Sequence, residues 1–508
     1  MSFQSHHLKG LQRISGQNPW ILASAVVAIT VVGFLLSSRQ FFHWFLAPVA
    51  LCGVLTAKEA AGWLSGKVHA FDALGVFGMF GVFFFFLAPL LHVSWNFWMW
   101  EVVGPPDWRD WLGRMAILNV AGLLAFRSVF YLCSTDARPN PPKFTWVIDF
   151  RVFPLIAACI LLLTATLQSW VYVRSGGIAA FIELFHESYQ TNEDHFAGWG
   201  WIFMISESFP IIAAIVAIAY AHRKRFRPDW LQFGACLLLF FSFQLYFGGL
   251  RGSRLNTAEG LFWAVGAFHF FVKPISRSVI VAGVLSLVGF MYVYGFYKDG
   301  AKVSAAFENN AVREAVQQKS HRSLDGLLLG DLGRADVQAY LLYKTVMDPY
   351  GFRRAGGQTY LSGLCLFVPQ RFRPSSLVNK ESLGSDLIWG AGVYTPGVLR
   401  STRIHGLAGE AILNFGYFSV PIAFAVLAWV IVQVQRWICS FESHDARLLL
   451  APFAIYLTCV WSVCSDFDNV VFSIIKQGFV AGLFVLLSCK RVRIARSIPG
   501  VFAYAQTR

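Results

Sequence analysis

Apolar runs long enough to cross a bilayer recur along the whole chain, and no other feature constrains its fold as tightly. A hydrocarbon core about 30 Å thick takes about 20 residues of helix. Windows of that width fall at 20–36, 41–57, 73–93, 115–133, 152–173, 199–221, 231–250, 257–273, 278–297, 409–435, 446–464 and 470–489. Composition agrees: the 508 residues are 56% hydrophobic and only 14% charged, where soluble domains carry about 25% charged residues. Such a chain lacks the polar surface of a soluble fold, and disordered, collagenous and disulfide-rich classes are excluded with it. The expected class is an all-α, polytopic transmembrane bundle of about twelve spans. Spans 1–9 occupy residues 1–297, one large loop occupies 298–408, and spans 10–12 with a tail occupy 409–508.

A net charge of +14 has to be placed within that class. Lys and Arg accumulate on the cytoplasmic side of membrane proteins. The N-terminal tail, the loops after even-numbered spans and the C-terminal tail, with the window-edge residues Lys273 and Arg447, hold 20 of the 42 basic residues, against six in the opposite short loops. Both termini are therefore expected in the cytoplasm and the 298–408 loop on the outer side. Lys9 and Arg13 before the first apolar run resemble a signal peptide, but no small-residue cleavage site follows, so a retained first span is expected. The nine Cys show no CxxC pair, zinc spacing or disulfide framework, and most lie in or beside apolar runs, which suits packing.

The outer loop holds a further 14 Lys and Arg. Residues 301–319 have a helix-forming, amphipathic composition, and 359–369 suits a re-entrant or interfacial segment too short to span. At the seventh boundary the sequence GGLRGSRLN sets Arg251 and Arg254 three residues apart, one face of a helix, among glycines that let backbone N–H groups approach an anion. Arg371 and Arg403 add planar, permanently charged forks suited to phosphate. Singly, each is as well read as a solvated surface residue; together at one face they point to an anionic ligand such as a lipid pyrophosphate. Nucleic acid is disfavoured, because the basic residues flank spans and no binding module is present.

The segment STRIHGLAGEAILNFGYFSV leads the outer loop into the tenth apolar window. In it His405 has the chemistry of a general base at neutral pH, and Glu410 is a second candidate. The plain readings are a buried hydrogen-bond partner for His405 and helix-dipole stabilisation for Glu410. Within apolar windows, Glu207 and Glu259 are candidates for ion pairs with Arg127, Lys476 or the Arg cluster. No P-loop, GxSxG elbow or HExxH motif occurs, so neither ATP-driven nor hydrolytic motif chemistry has support.

Three of these patches carry a family likeness. GGLRGSRLNTAEGLF, GDLGRADVQAYLL with FVPQRFRP, and RIHGLAGEAILNFGYF together resemble the Wzy-type O-antigen polymerases, which polymerise oligosaccharide repeat units. The last patch is also similar to the O-antigen ligases, although those carry an amide residue after the histidine where this chain has Gly406. Elsewhere the likeness extends only to hydropathy and topology.

The resemblance implies a GT-C-like glycosyltransferase of the bacterial inner membrane with a periplasmic active face. It would pass a growing glycan from undecaprenyl pyrophosphate to the hydroxyl of a new lipid-linked repeat unit. Arg251, Arg254, Arg371 and Arg403 would then stabilise the departing pyrophosphate, with His405 or Glu410 activating the acceptor. With arginines supplying the charge, neither metal nor cofactor is required. Membrane lipid, the lipid-linked oligosaccharide and a chain-length regulator are the implied partners. A ligase acting on lipid A core and a flippase for the lipid-linked sugar are the alternatives; the missing internal symmetry speaks against transport.

Overall fold

The computed structural model describes residues 18–493, apart from 101, 135–143, 192–194, 197, 252–253, 299–322, 350, 352, 369–371, 375–376, 379, 391, 394–402 and 443. The segment 301–319 and Arg371 lie outside the described residues, as does the side chain of Arg254. The chain is an all-α, multi-pass helical protein. Among the described residues nine long helices, with a shorter one at Ile178–Thr191, precede the long loop: α1 (Pro19–Ser37), α2 (Leu46–Leu64), α3 (Ala73–Ser94), α4 (Trp108–Ser134), α5 (Phe153–Arg174), α6 (Gly200–Arg223), α7 (Trp230–Phe247), α8 (Arg254–Phe271) and α9 (Arg277–Lys298). The loop contributes α10 (Ala335–Met347), α11 (Gln358–Leu364) and α12 (Lys380–Trp389). It then leads into α13 (Gly406–Phe415), α14 (Tyr417–Cys439), α15 (Ala446–Cys464) and α16 (Phe467–Leu487).

Ten of these helices are long and apolar enough to cross a membrane, two fewer than the windows counted above. The windows at 41–57 and 257–273 do form helices, α2 and α8. Lys58 and Glu59 in α2, and Arg254, Glu259 and His269 in α8, take them out of that class. One correction concerns the window 409–435, which is not one helix. Gly416, with φ +84°, caps α13 and turns the chain before α14 begins. A side chain there would be strained, and glycine is the residue that reaches this region freely.

The apolar residues form two kinds of surface. Two thirds of α15 and more than half of α3 and α6 are buried, whereas α1, α7 and α9 bury less than a quarter of their length. Large apolar side chains facing outward on α1, such as Ile29 and Leu36, are what a lipid-facing helix presents. Inside, small residues bring backbones together. A Cβ on Gly122 of α4 would lie 2.6 Å from Phe424 of α14, and one on Gly266 of α8 would lie 2.4 Å from Pro452 of α15. Short π-helical stretches interrupt α3 (Val82–Leu87), α15 (Leu457–Trp461) and α16 (Ile474–Gly478).

The two ends of the bundle differ. At one, β1 (Phe144–Ile148) pairs antiparallel with β2 (Cys489–Arg493), Trp146 facing Arg491. Buried Asp445 accepts from Thr145 Oγ1, Trp146 N and Arg447, which fastens this ribbon to the loop before α15. At the opposite end, α10 is buried along nearly its whole length and packs on α4 and α13. The described part of the long loop is thus a core element of that end.

Candidate functional site

The start of α13 carries the densest group of buried polar side chains at the loop end. Asp466, in the two-residue link between α15 and α16, is fully buried. Its Oδ1 accepts the backbone N–H groups of both His405 and Gly406, each at 2.8 Å. Its Oδ2 accepts from Lys380 Nζ at 2.7 Å, and the same ammonium lies 3.0 Å from Asp468. Gly406 adopts φ +69°, which directs consecutive N–H groups at one oxygen, and a Cβ there would lie 2.8 Å from the carbonyl of Val463. Burial alone would raise the Asp466 carboxyl, but Lys380 and His405 hold it well below the usual carboxylate range. Burial likewise opposes the Lys380 charge, yet Asp466 and Asp468 keep the ammonium above its ordinary value.

His405 sits beside this ion pair. Its Nδ1 is 3.8 Å from Asp466 Oδ2, too far for a hydrogen bond but close enough to pair once the ring is protonated. Its carbonyl accepts from Gln338 of α10 at 2.9 Å. The ring is 1% exposed, and neither nitrogen has a hydrogen-bond partner among the described residues. Gly384 of α12 closes over it, since a Cβ at that position would lie 2.8 Å from His405 Cε1.

Glu410, one turn further on, is tied to the same link. Its Oε2 accepts from Phe467 N at 2.6 Å and its Oε1 from Thr359 of α11 at 2.7 Å. Asn414 donates to the Thr359 hydroxyl at 2.7 Å and accepts from Gly357 N at 3.0 Å. Burial, with Asp466 nearby, pushes the Glu410 carboxyl up to about 8, against the lowering effect of these two donors. Arg403, two residues before His405, is half-buried and donates to Trp100 O at 3.3 Å.

Arg251 belongs to a different group. Its guanidinium donates to Glu207 Oε1 through Nη2 at 2.6 Å and Nε at 3.1 Å, and lies over the Phe203 ring. The other Glu207 oxygen takes Asn256 at 2.6 Å and Lys476 at 2.5 Å. Glu207 stands where α6 breaks before Pro210, and Lys476 lies in the π-helical stretch of α16. Ser473 bonds both oxygens of Glu259, and Arg127 pairs with Glu59. Of the pairings expected for the acidic residues of the apolar windows, Glu207 with Lys476 and Arg251 is thus found, and any with Arg127 is not.

His405 and Glu410 therefore come together, with Arg403 two residues before His405 but bonded to Trp100, while Arg251 is elsewhere. Lys476 follows Asp466 by ten residues on one helix, roughly 15 Å at 1.5 Å per residue. Asp466, Lys380 and Thr359 were not singled out as site residues. The signal available was the pair of acids in SDFDN at a span boundary; the Lys380 pairing across 86 residues left none. No protein-family model, no curated protein and no solved structure matches the chain.

Proposed function

We propose that this protein is a membrane glycosyltransferase that polymerises lipid-linked oligosaccharide repeat units. It would transfer the growing glycan from undecaprenyl pyrophosphate to the hydroxyl of a new unit, as in the O-antigen polymerases it resembles. The observation that carries the reading is the imidazole of His405, which leaves both nitrogens uncommitted beside a buried carboxylate. A free base beside an acid that can stabilise its protonated form is an arrangement suited to activating a hydroxyl.

In this mechanism the acceptor oxygen bonds to the anomeric carbon as the bond from that carbon to the pyrophosphate oxygen breaks. The hydroxyl proton passes to His405, and Asp466 stabilises the imidazolium that forms. Negative charge grows on the leaving pyrophosphate, where cations lower the barrier. Arg403 is nearest to hand, with Arg254 and Arg371 as further candidates. Arg251 would act indirectly, by neutralising Glu207. Because α12 covers His405, acceptor access requires α12 to move away with its Lys380 anchor. The basic residues around the ribbon end, including Arg223, Lys224, Lys490 and Arg491, support a cytoplasmic ribbon end, cytoplasmic termini and a periplasmic site.

Surface glycan from a deletion strain separates the reactions. A single repeat unit on lipid A core is the expected result. Absence of attached glycan with long chains still on the carrier means ligation instead, and repeat units trapped in the cytoplasm mean transport.

A further inference from the structure

Of the large apolar side chains in the described loop, those from Leu327 to Tyr343 are buried or half-buried; exposure follows at Val346 and Met347 and is densest from α11 on. There Leu361, Leu364, Phe367 and Phe372 are each at least half exposed. The exposure is one-sided. Thr359 and Gly363 are buried against the bundle, Tyr360 packs on Phe415 and Phe467, and a Cβ on Gly363 would lie 3.0 Å from the Phe467 ring. Leu361, Leu364 and Phe367 follow at intervals of three, and the helix tightens after Leu364 into a 3₁₀ turn, Cys365–Phe367. Three residues per turn keeps those side chains on one outward face.

The head of α14 lies close by, since Tyr360 of α11 packs on Phe415. Phe415 precedes that helix, and Phe418, Ile422, Val426 and Trp429 run along α14, all more than half exposed. On a multi-pass membrane protein such a stripe faces acyl chains, so the α11 surface lies close to a lipid-facing one. Two cations border it. Arg373 donates to the carbonyls of Val368 and Leu366, which close the 3₁₀ turn. The Arg354 guanidinium lies beside Gly416, its carbon 3.1 Å from where a Cβ would stand, at the head of α14. Both arginines are exposed. An apolar face rimmed by arginine at the end of a membrane helix matches the boundary between acyl chains and phosphate headgroups.

We infer that α11 and its 3₁₀ turn lie in the bilayer interface and bind phospholipid, with Leu361, Leu364 and Phe367 among the acyl chains and Arg354 and Arg373 at the headgroup phosphates. The inference is independent of the reaction proposed above. It makes α11, which holds Glu410 through Thr359, the element through which the membrane surface touches the buried site.

The test places photocrosslinking benzoylphenylalanine at Leu364, Phe367, Phe418 or Glu381 of the full chain, in nanodiscs of phosphatidylcholine with and without phosphatidylglycerol. Illumination is expected to add one phospholipid mass at positions 364, 367 and 418 and none at 381, which is exposed on α12. Adduct yield at 364 and 367 is expected to rise several-fold with the anionic lipid. Lipid adducts at 418 alone overturn the inference, as do crosslinks from 364 and 367 to a second protein chain. Equal yields in both lipid mixtures overturn the role given to the arginines. Position 367, at the exposed end of the turn, serves if the variant at 364 does not insert.

Discussion

Two groups of buried charge use the same residue types in opposite ways. Around Glu207, both carboxylate oxygens are taken by Arg251, Asn256 and Lys476, all on membrane-embedded helices or their ends. Around Asp466, the partners are two backbone N–H groups and a lysine from the long loop, and the adjacent imidazole, 3.8 Å away, makes no hydrogen bond among the described residues. The first group holds helices to one another. The second holds a loop over a side chain that has been left chemically available, which is what separates a staple from a site.

The largest effect should come from breaking the staple. Glu207→Ala leaves Lys476 buried without a counter-charge, and removing one member of a buried pair costs about 3–5 kcal/mol. The thermal midpoint of the solubilised protein should fall sharply, and adding Lys476→Met should recover much of it. A single variant as stable as the parent would show that water reaches Lys476, and the contrast between the groups would lose its basis. Asp466→Asn should cost less, about 1.5–3 kcal/mol, because an amide oxygen still accepts the two N–H groups while the bond to the Lys380 charge is lost. Here the activity should fall further than the midpoint, since the cover over His405 is also loosened; equal losses of both would reduce Asp466 to a second staple.

The helical class was legible because length and hydropathy decide it within each segment. Where a segment's neighbours matter, the reading failed. Residues 409–435 are apolar throughout, and only the backbone at Gly416 separates α13 from α14. In α2, Lys58 and Glu59 are matched by one another and by Arg127 of α4, a compensation invisible along the chain. Cys489–Arg493 reads as a basic tail, and it is a strand only because Phe144–Ile148 lies beside it. His405 and Glu410 were legible as polar residues entering an apolar window, whereas Asp466 and Lys380 gain meaning only from being folded together. Arg251, the most conspicuous cation in the sequence, already has its partner.

A smaller effect distinguishes Glu410 from Asp466. The folded-state pKa of Glu410 is raised, so folding favours its protonated form. The resulting stabilisation is complete below the ordinary carboxylate range, near 4.3, and is lost as pH rises toward about 8. The thermal midpoint should therefore drop between pH 5 and pH 8 as this group is forced to ionise in the folded protein. Glu410→Gln should flatten that slope. An unchanged slope would mean that the Thr359 and Phe467 donors keep the carboxylate charged in the folded protein.

His405 should show the smallest effect on stability and the largest on rate. Neither ring nitrogen makes a hydrogen bond among the described residues, so His405→Gln removes none and keeps a polar group of similar size in place. A cost below about 1 kcal/mol is expected, at the low end for buried substitutions. Loss of a general base lowers the rate by about 10²–10⁴, read as disappearance of the long-chain glycan ladder and as turnover of purified lipid-linked repeat units. The plain role, a histidine that only fills space under α12, predicts a ladder as long as the parent's at unchanged stability. The two measurements have to be made on one preparation, because a folded, inserted and inactive His405→Gln protein is the outcome that separates a site from a staple.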